Sequence, residues 1–221
     1  MASLDVKLTG PTTTGSVESH ELHFARRALA LLKNRLGNDG MMELLSTDIA
    51  RADAYWERTV IASKGEFTET STTINITGLN VKAFLGWFHA HAQDVPVMQA
   101  AHPEHYINTV GPILETIGDQ PSFFHLQLLD QPAACVTTRD PQRYPMAMCG
   151  SATLRSGTVI GYACHQFREY DEQTEGIGFE VRFGAWLPKT CDEEVLETHR
   201  KHFAVEWTNW IRAAHEEIAA T

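Results

Sequence analysis

The stretch His199-Arg200-Lys201-His202-Phe203-Ala204-Val205-Glu206 sets an imidazole and a carboxylate four residues apart. On a helix turning about 100° per residue, His202 and Glu206 are about 40° apart, one turn along one face. That spacing lets one nitrogen and one oxygen donor reach a single divalent ion. His199 lies about 60° from His202 on the same side. Beside the pair runs an apolar stripe, Phe203, Trp207, Trp210, Ala214 and Ile218. The stripe must be packed, so the pair borders the buried side of the helix. By itself an HxxxE pair is more often a weak surface contact, and further donors decide the matter. Upstream, Ala101 to Asn108 contains His102 and His105, and Glu115 follows in the apolar run Ile113-Leu114-Glu115-Thr116-Ile117. A carboxylate among apolar neighbours is costly to bury unless it is paired or metal-bound. Together these residues make a nitrogen and oxygen donor set that suits zinc or a similar ion, with either His102 or His105 able to serve.

Other catalytic chemistries find little here. The four cysteines, Cys135, Cys149, Cys164 and Cys191, form no CxxC pair. They read as small buried hydrophobes of a reducing compartment, neither a thiolate zinc site nor a redox motif. There is no GxSxG, and no cysteine sits in a cationic setting. A net charge of −10, with no clustered basic face, argues against a nucleic-acid partner and an anionic membrane surface. The sequence shows no signal peptide and no run of 18 apolar residues, so a cytoplasmic location without a membrane is the expectation.

The elements that must carry these donors follow from periodicity. At 221 residues the chain fits one large domain or a core with an N-terminal extension. Residues 1–18, rich in Gly, Ser and Thr, read as a mobile leader. Glu21 to Leu36 is helical and stopped by Gly37; Met41 to Thr59 is a second helix. The expected division is a leader and helical extension over 1–62 and a metal-binding domain over 63–221. The two helices form a hairpin that covers a pocket or makes a homodimer contact. A strand is expected at Thr68–Ile76, a short helix at Val81–Ala90, then a loop-like stretch with Pro96 and Pro103. Further strands are expected at Ser122–Leu129, Ala133–Thr137, Ala147–Leu154, Thr158–Glu169 and Ile177–Leu187. Pro188 ends the last strand, and Asp192 caps a helix from about Glu193 to Ala219 with an acidic first turn. Consecutive strands and one long final helix predict an α+β domain, an antiparallel sheet curled around that helix with a cavity between them.

Several segments, in order, resemble the 2,4-diacetylphloroglucinol hydrolase family, which includes phloretin hydrolase. They are Leu85-Gly86-Trp87-Phe88-His89-Ala90-His91, Ala101 to Asn108, Leu114-Glu115-Thr116-Ile117-Gly118, His165 to Glu169 with Gly178 to Leu187, and His202 to Glu206. The similarity spans roughly residues 64 to 215. It implies a helix-grip (Bet v 1-like) fold, a zinc cofactor and the ligand set His105, Glu115, His202 and Glu206. Gly86, Ala90 and Val97-Met98-Gln99-Ala100-Ala101 depart from the family's aromatic pattern, which implies a wider or differently shaped pocket.

The activity so implied is hydrolysis of a carbon–carbon bond beside a ketone, of retro-Claisen type, in an aromatic or polyketide-like substrate. Three or four protein ligands leave a metal position open for water or substrate. A metal polarises the carbonyl and acidifies water, and a proton donor is still needed. His165, on a strand facing the helix, is the candidate donor, with Tyr162 or Tyr144 sharing the role. Asn108 either binds a substrate hydroxyl or caps a turn, and one of His89 and His91 backs a ligand. The other class of function is a non-hydrolytic cyclase, isomerase or binding protein for a polyketide-type intermediate on the same fold.

Overall fold

A computed structural model of the chain describes residues 15–109 and 111–220. Most of the expected leader, residues 1–14, lies outside the described residues. Helix α1 runs from Val17 to Leu44, opened by a reciprocal Ser16–Ser19 capping box. Gly37 does break it, leaving helical geometry at φ 60°, ψ −173°, but the chain resumes a helix directly. Helix α2, Ser46–Ser63, begins after Leu45 and not at Met41. There follow β1 (Phe67–Thr77), α3 (Val81–His91), α4 (Val95–Ala100), β2 (His105–Asn108) and β3 (Pro112–Ile117). The remainder is β4 (Gln120–Leu129), β5 (Met146–Leu154), β6 (Val159–Glu169), β7 (Gly178–Pro188) and α5 (Glu193–Ala219).

The seven strands form one antiparallel sheet in the order β1-β7-β6-β5-β4-β3-β2, curled into a half-barrel. The α+β expectation holds, with the long last helix and the helical N-terminal extension both present. Two differences matter. The stretch read as a loop contains the edge pair β2–β3, and Ala133–Thr137 forms turns, although Val136 is buried there.

Alternation along β7 shows how the sheet meets its helices. Val181, Phe183 and Ala185 pack with Phe203, Trp207, Trp210, Ile211 and Ala214 of α5. Leu187, next on the same face, joins Ala52 and Trp56 of α2 and Val195 and Leu196 of α5. The intervening Trp186 packs the other way, with Val136, Cys149 and Cys164. Trp56 is fully buried, and its Nε1–H donates to Ser122 Oγ at 2.8 Å, pinning α2 across β4. Asp192 stands at the head of α5, but its side chain accepts from Tyr55 Oη at 3.3 Å and caps no helix amide.

The space between sheet and α5 is filled with rings. Phe183 stacks on Trp207 at 4.4 Å, and Phe88 of α3 stacks on Trp207 at 5.2 Å and meets Trp210 at 5.1 Å. No helix of the described residues is long and apolar enough to cross a membrane.

Candidate metal centre

Three elements bring four donors together. His105 opens β2 and is the cross-strand partner of Glu115 on β3, so both side chains leave the sheet edge on one face. From the other side α5 contributes His202 and Glu206, one turn apart and both buried. His105 Nε2 lies 3.1 Å from His202 Nε2, 3.3 Å from Glu206 Oε1 and 3.6 Å from Glu115 Oε2. All four donor atoms fall within 4.8 Å of one another.

A tetrahedral ion with bonds of about 2.0–2.1 Å separates its ligand atoms by about 3.3 Å. The observed separations bracket that value. Charge points the same way: the carboxylates of Glu115 and Glu206 are both buried and lie within 4.8 Å of each other, so they repel when both are ionised. Burial pushes the Glu115 carboxyl up to about 8, partly offset by His105 and reinforced by Glu206. Burial alone would depress the His105 imidazole, yet hydrogen bonding and charge from Glu206, with Glu115, hold it above its ordinary value. A divalent cation would satisfy both carboxylates at once. The cluster therefore fits a metal ion by distance, donor chemistry and charge.

Hydrogen bonds fix the tautomers. His105 Nδ1 lies 3.1 Å from the Met98 carbonyl, which can only accept, so Nδ1 carries the proton and Nε2 presents its lone pair to the cluster. His102 is arranged in reverse: the Glu104 backbone N–H donates to its Nδ1 at 3.1 Å. The His102 ring stacks on His202 with centroids 3.9 Å apart, and His102, His105 and His202 form a second group able to hold an ion. Burial, together with the neighbouring His105 and Lys33, depresses His102 to about 3. His202 is pushed well below its ordinary value by burial and the surrounding imidazoles, and its Nδ1 is buried without a partner.

The loop before β2 is held firmly. Lys33 of α1 donates to the carbonyls of Pro103 and His105, each at 2.6 Å, and Asn209 of α5 donates to the Ala101 carbonyl at 2.7 Å. Burial lowers the Lys33 ammonium to about 8. Asn108 places its side-chain amide 3.4 Å from His105 Nδ1, behind the ligand ring and away from the donor atoms.

His165 does face α5, among Phe183, Phe203 and Trp207, with ring centroids at 5.3, 5.4 and 4.9 Å. Burial drives its imidazole down to about 3, and its Nδ1 is shielded and unpartnered. Buried His199, its ring 5.5 Å from His202, is likewise lowered to about 4 by burial. Tyr162 is a correction. It pairs with Trp186 across the strands and packs against Phe67 on the face turned away from α5. Tyr144 is also outside, donating to Glu180 Oε1 at 2.6 Å. His89 is exposed on α3, whereas His91 stacks on Trp87 and pairs with Glu217 at 3.3 Å near the far end of α5. Sequence reasoning missed Lys33 and the Met98 carbonyl, since nothing in a sequence says which backbone oxygen a ring nitrogen will meet.

Among known proteins, the chain matches no family model, and no curated protein matches it.

Proposed function

We propose that the chain is a zinc-dependent hydrolase that cleaves a carbon–carbon bond next to a ketone, retro-Claisen fashion, in a small aromatic or polyketide-like substrate. The observation that carries this reading is the buried convergence of His105, Glu115, His202 and Glu206. The ordered resemblance to the 2,4-diacetylphloroglucinol hydrolases supports it, as does the curled sheet with its long final helix, which is compatible with a helix-grip (Bet v 1-like) fold. A cytoplasmic location completes the proposal.

Zinc held by these four residues supplies Lewis acidity, polarising a ketone carbonyl and making water acidic near neutrality. The chain's own contribution is arrangement. The Nδ1–H of His105 donates to the Met98 carbonyl and so holds its ring in the ligating tautomer. Asn108 backs that ring. His165 turns a neutral imidazole with an unpartnered Nδ1 toward α5; in this reading it would take the proton released by the attacking water and pass it to the leaving carbon.

One observation favours the second reading, a non-hydrolytic cyclase, isomerase or binding protein. Tyr162 and Tyr144, the phenols expected to share proton transfer, are turned away from the centre.

Metal content by plasma mass spectrometry, on protein purified without a metal-affinity tag, tests the centre. The expected result is one zinc per chain, lost in a His202→Ala, Glu206→Ala double variant that still folds. Metal-free wild-type protein would sink the hydrolase. Zinc without hydrolysis of acylphloroglucinol-type ketones would leave the second reading standing.

A further inference from the structure

Helix α1 and the segment around α4 enclose a groove of about 270 Å³ whose wall includes His102, the ring stacked on His202. Arg26, Leu29 and Lys33 line one side, Pro96 and Pro103 the other. The groove therefore reaches to within one ring of the donor cluster.

Its charge is unlike that of the rest of the molecule. The chain carries 28 acids against 18 bases, yet the ten residues lining the groove include two bases and no acid. Residues 26–35 of α1 hold Arg26, Arg27, Lys33 and Arg35 with no acid among them. Among the described residues Arg26 has no ion-pair or hydrogen-bond partner. Lys33 spends two of its three N–H groups on Pro103 and His105 carbonyls. Its ammonium also lies over the Tyr106 ring, 5.6 Å from the centroid, so Arg26 is the uncommitted cation of the groove. Glu104 lies near enough to Lys33 to influence it but does not line the groove.

His102 adds a donor. Its Nδ1 lone pair is taken by the Glu104 amide, so in the neutral ring Nε2 carries the hydrogen. The ring is thereby an N–H donor beside the cluster, where His105 presents a lone pair to it. The Arg26 guanidinium, the His102 imidazole and the apolar flanks of Leu29, Pro96 and Pro103, with the Lys33 charge behind them, make a receptor for a flat organic anion.

We propose that this groove is an anion subsite of the metal centre, with His102 and Arg26 binding a carboxylate, or an equivalent ionised oxygen, carried by the substrate. The substrate class is then an acidic ketone, and His102 recognises substrate instead of ligating metal. The proposal rests on the hydrolase reading for the word substrate, but the groove is independent of any ion.

Calorimetric titration with benzoate and its neutral isostere benzamide, on metal-loaded and chelator-treated protein, separates the two. Benzoate is expected to bind about tenfold more tightly than benzamide in both samples, the margin of a charge-assisted hydrogen bond. Arg26→Gln, at an exposed position, should erase that margin while leaving benzamide and the melting temperature unchanged. His102→Ala should weaken benzoate similarly yet retain metal by mass spectrometry. Equal affinities for the two probes would overturn the subsite. So would benzoate binding that survives Arg26→Gln and vanishes with the metal, the signature of direct ligation. Loss of metal in His102→Ala would return that residue to the ligand set. Absence of metal from every sample would sink the hydrolase and leave the groove result readable.

Discussion

Glu115 sits between Leu114 and Thr116, all three buried, on a strand that faces α5. Its carboxyl, driven up to about 8 mainly by burial, holds a proton at neutral pH unless a cation replaces it. His105, held above its ordinary value, must also lose its proton before Nε2 can ligate. Metal uptake thus expels protons, and apparent affinity rises with pH until it levels off above about 8. Calorimetry in buffers of different ionisation enthalpy reads the proton count directly, and uptake of protons on binding would contradict the assignment. Glu115→Gln should weaken binding and flatten the pH dependence, because the amide has no proton to release. Asn108→Ala removes the group behind His105 without touching a ligand. Its expected cost in metal affinity is below about tenfold, since the His105 Nδ1–H is already held by the Met98 carbonyl. An unchanged affinity would reduce Asn108 to packing.

At the scale of elements, the centre depends on how the β3–β4 turn meets the head of α5. Gly118 occupies that turn at φ +69°, and a Cβ there would lie 2.9 Å from the Val195 Cα. Both the left-handed backbone and the close approach demand glycine. Gly118→Ala should therefore destabilise the fold by about 2 kcal/mol or more and lower metal affinity through displacement of α5. A melting curve and a metal titration check both parts; a variant as stable as the parent would show the turn to be pliable. The same elements show what sequence could and could not reveal. The face of α5 was legible because ten buried residues repeat at helical spacing, His202 and Glu206 among them. The β2–β3 pair was not. Four residues of β2 are too few for an alternating pattern, and its hydrogen bonds come from tertiary pairing, with a register shift after His105. Ala133–Thr137 read as a strand from composition alone, but β4 and β5 pair with each other and leave it no partner. Tyr162 and His165 were grouped although they stand three positions apart on one strand. That odd spacing puts them on opposite faces, a rule the sequence itself supplied.

For the whole molecule, the titrating groups compete across the acid range. His102 and His165 are lowered to about 3, His199 to about 4, and His202 falls well below its ordinary 6.5, each chiefly by burial. Between pH 6.5 and about 4.5 the unfolded chain binds a proton on each of these four rings and the folded chain does not. Glu115 works in the opposite sense, protonated when folded and ionised when unfolded from 4.5 up to about 8. Four protons favouring the unfolded state against one favouring the folded state leave a net of three, so metal-free protein loses stability as pH falls through this window. Above 6.5 the rings are neutral in both states; Glu115 and the raised His105 act up to about 8, and the lowered Lys33 acts in the opposite sense from about 8 upward. Stability then declines again as pH rises toward 8. Melting temperatures of chelator-treated protein should accordingly peak near pH 6.5, with the steeper slope on the acid side. Saturating zinc holds Glu115 ionised and His105 neutral in the folded state, removing the alkaline decline and moving the optimum upward. Coincident pH optima with and without metal would mean that the ion does not bind at this cluster, since an ion held there fixes Glu115 ionised and His105 neutral together, beyond the direct pairing of the two side chains.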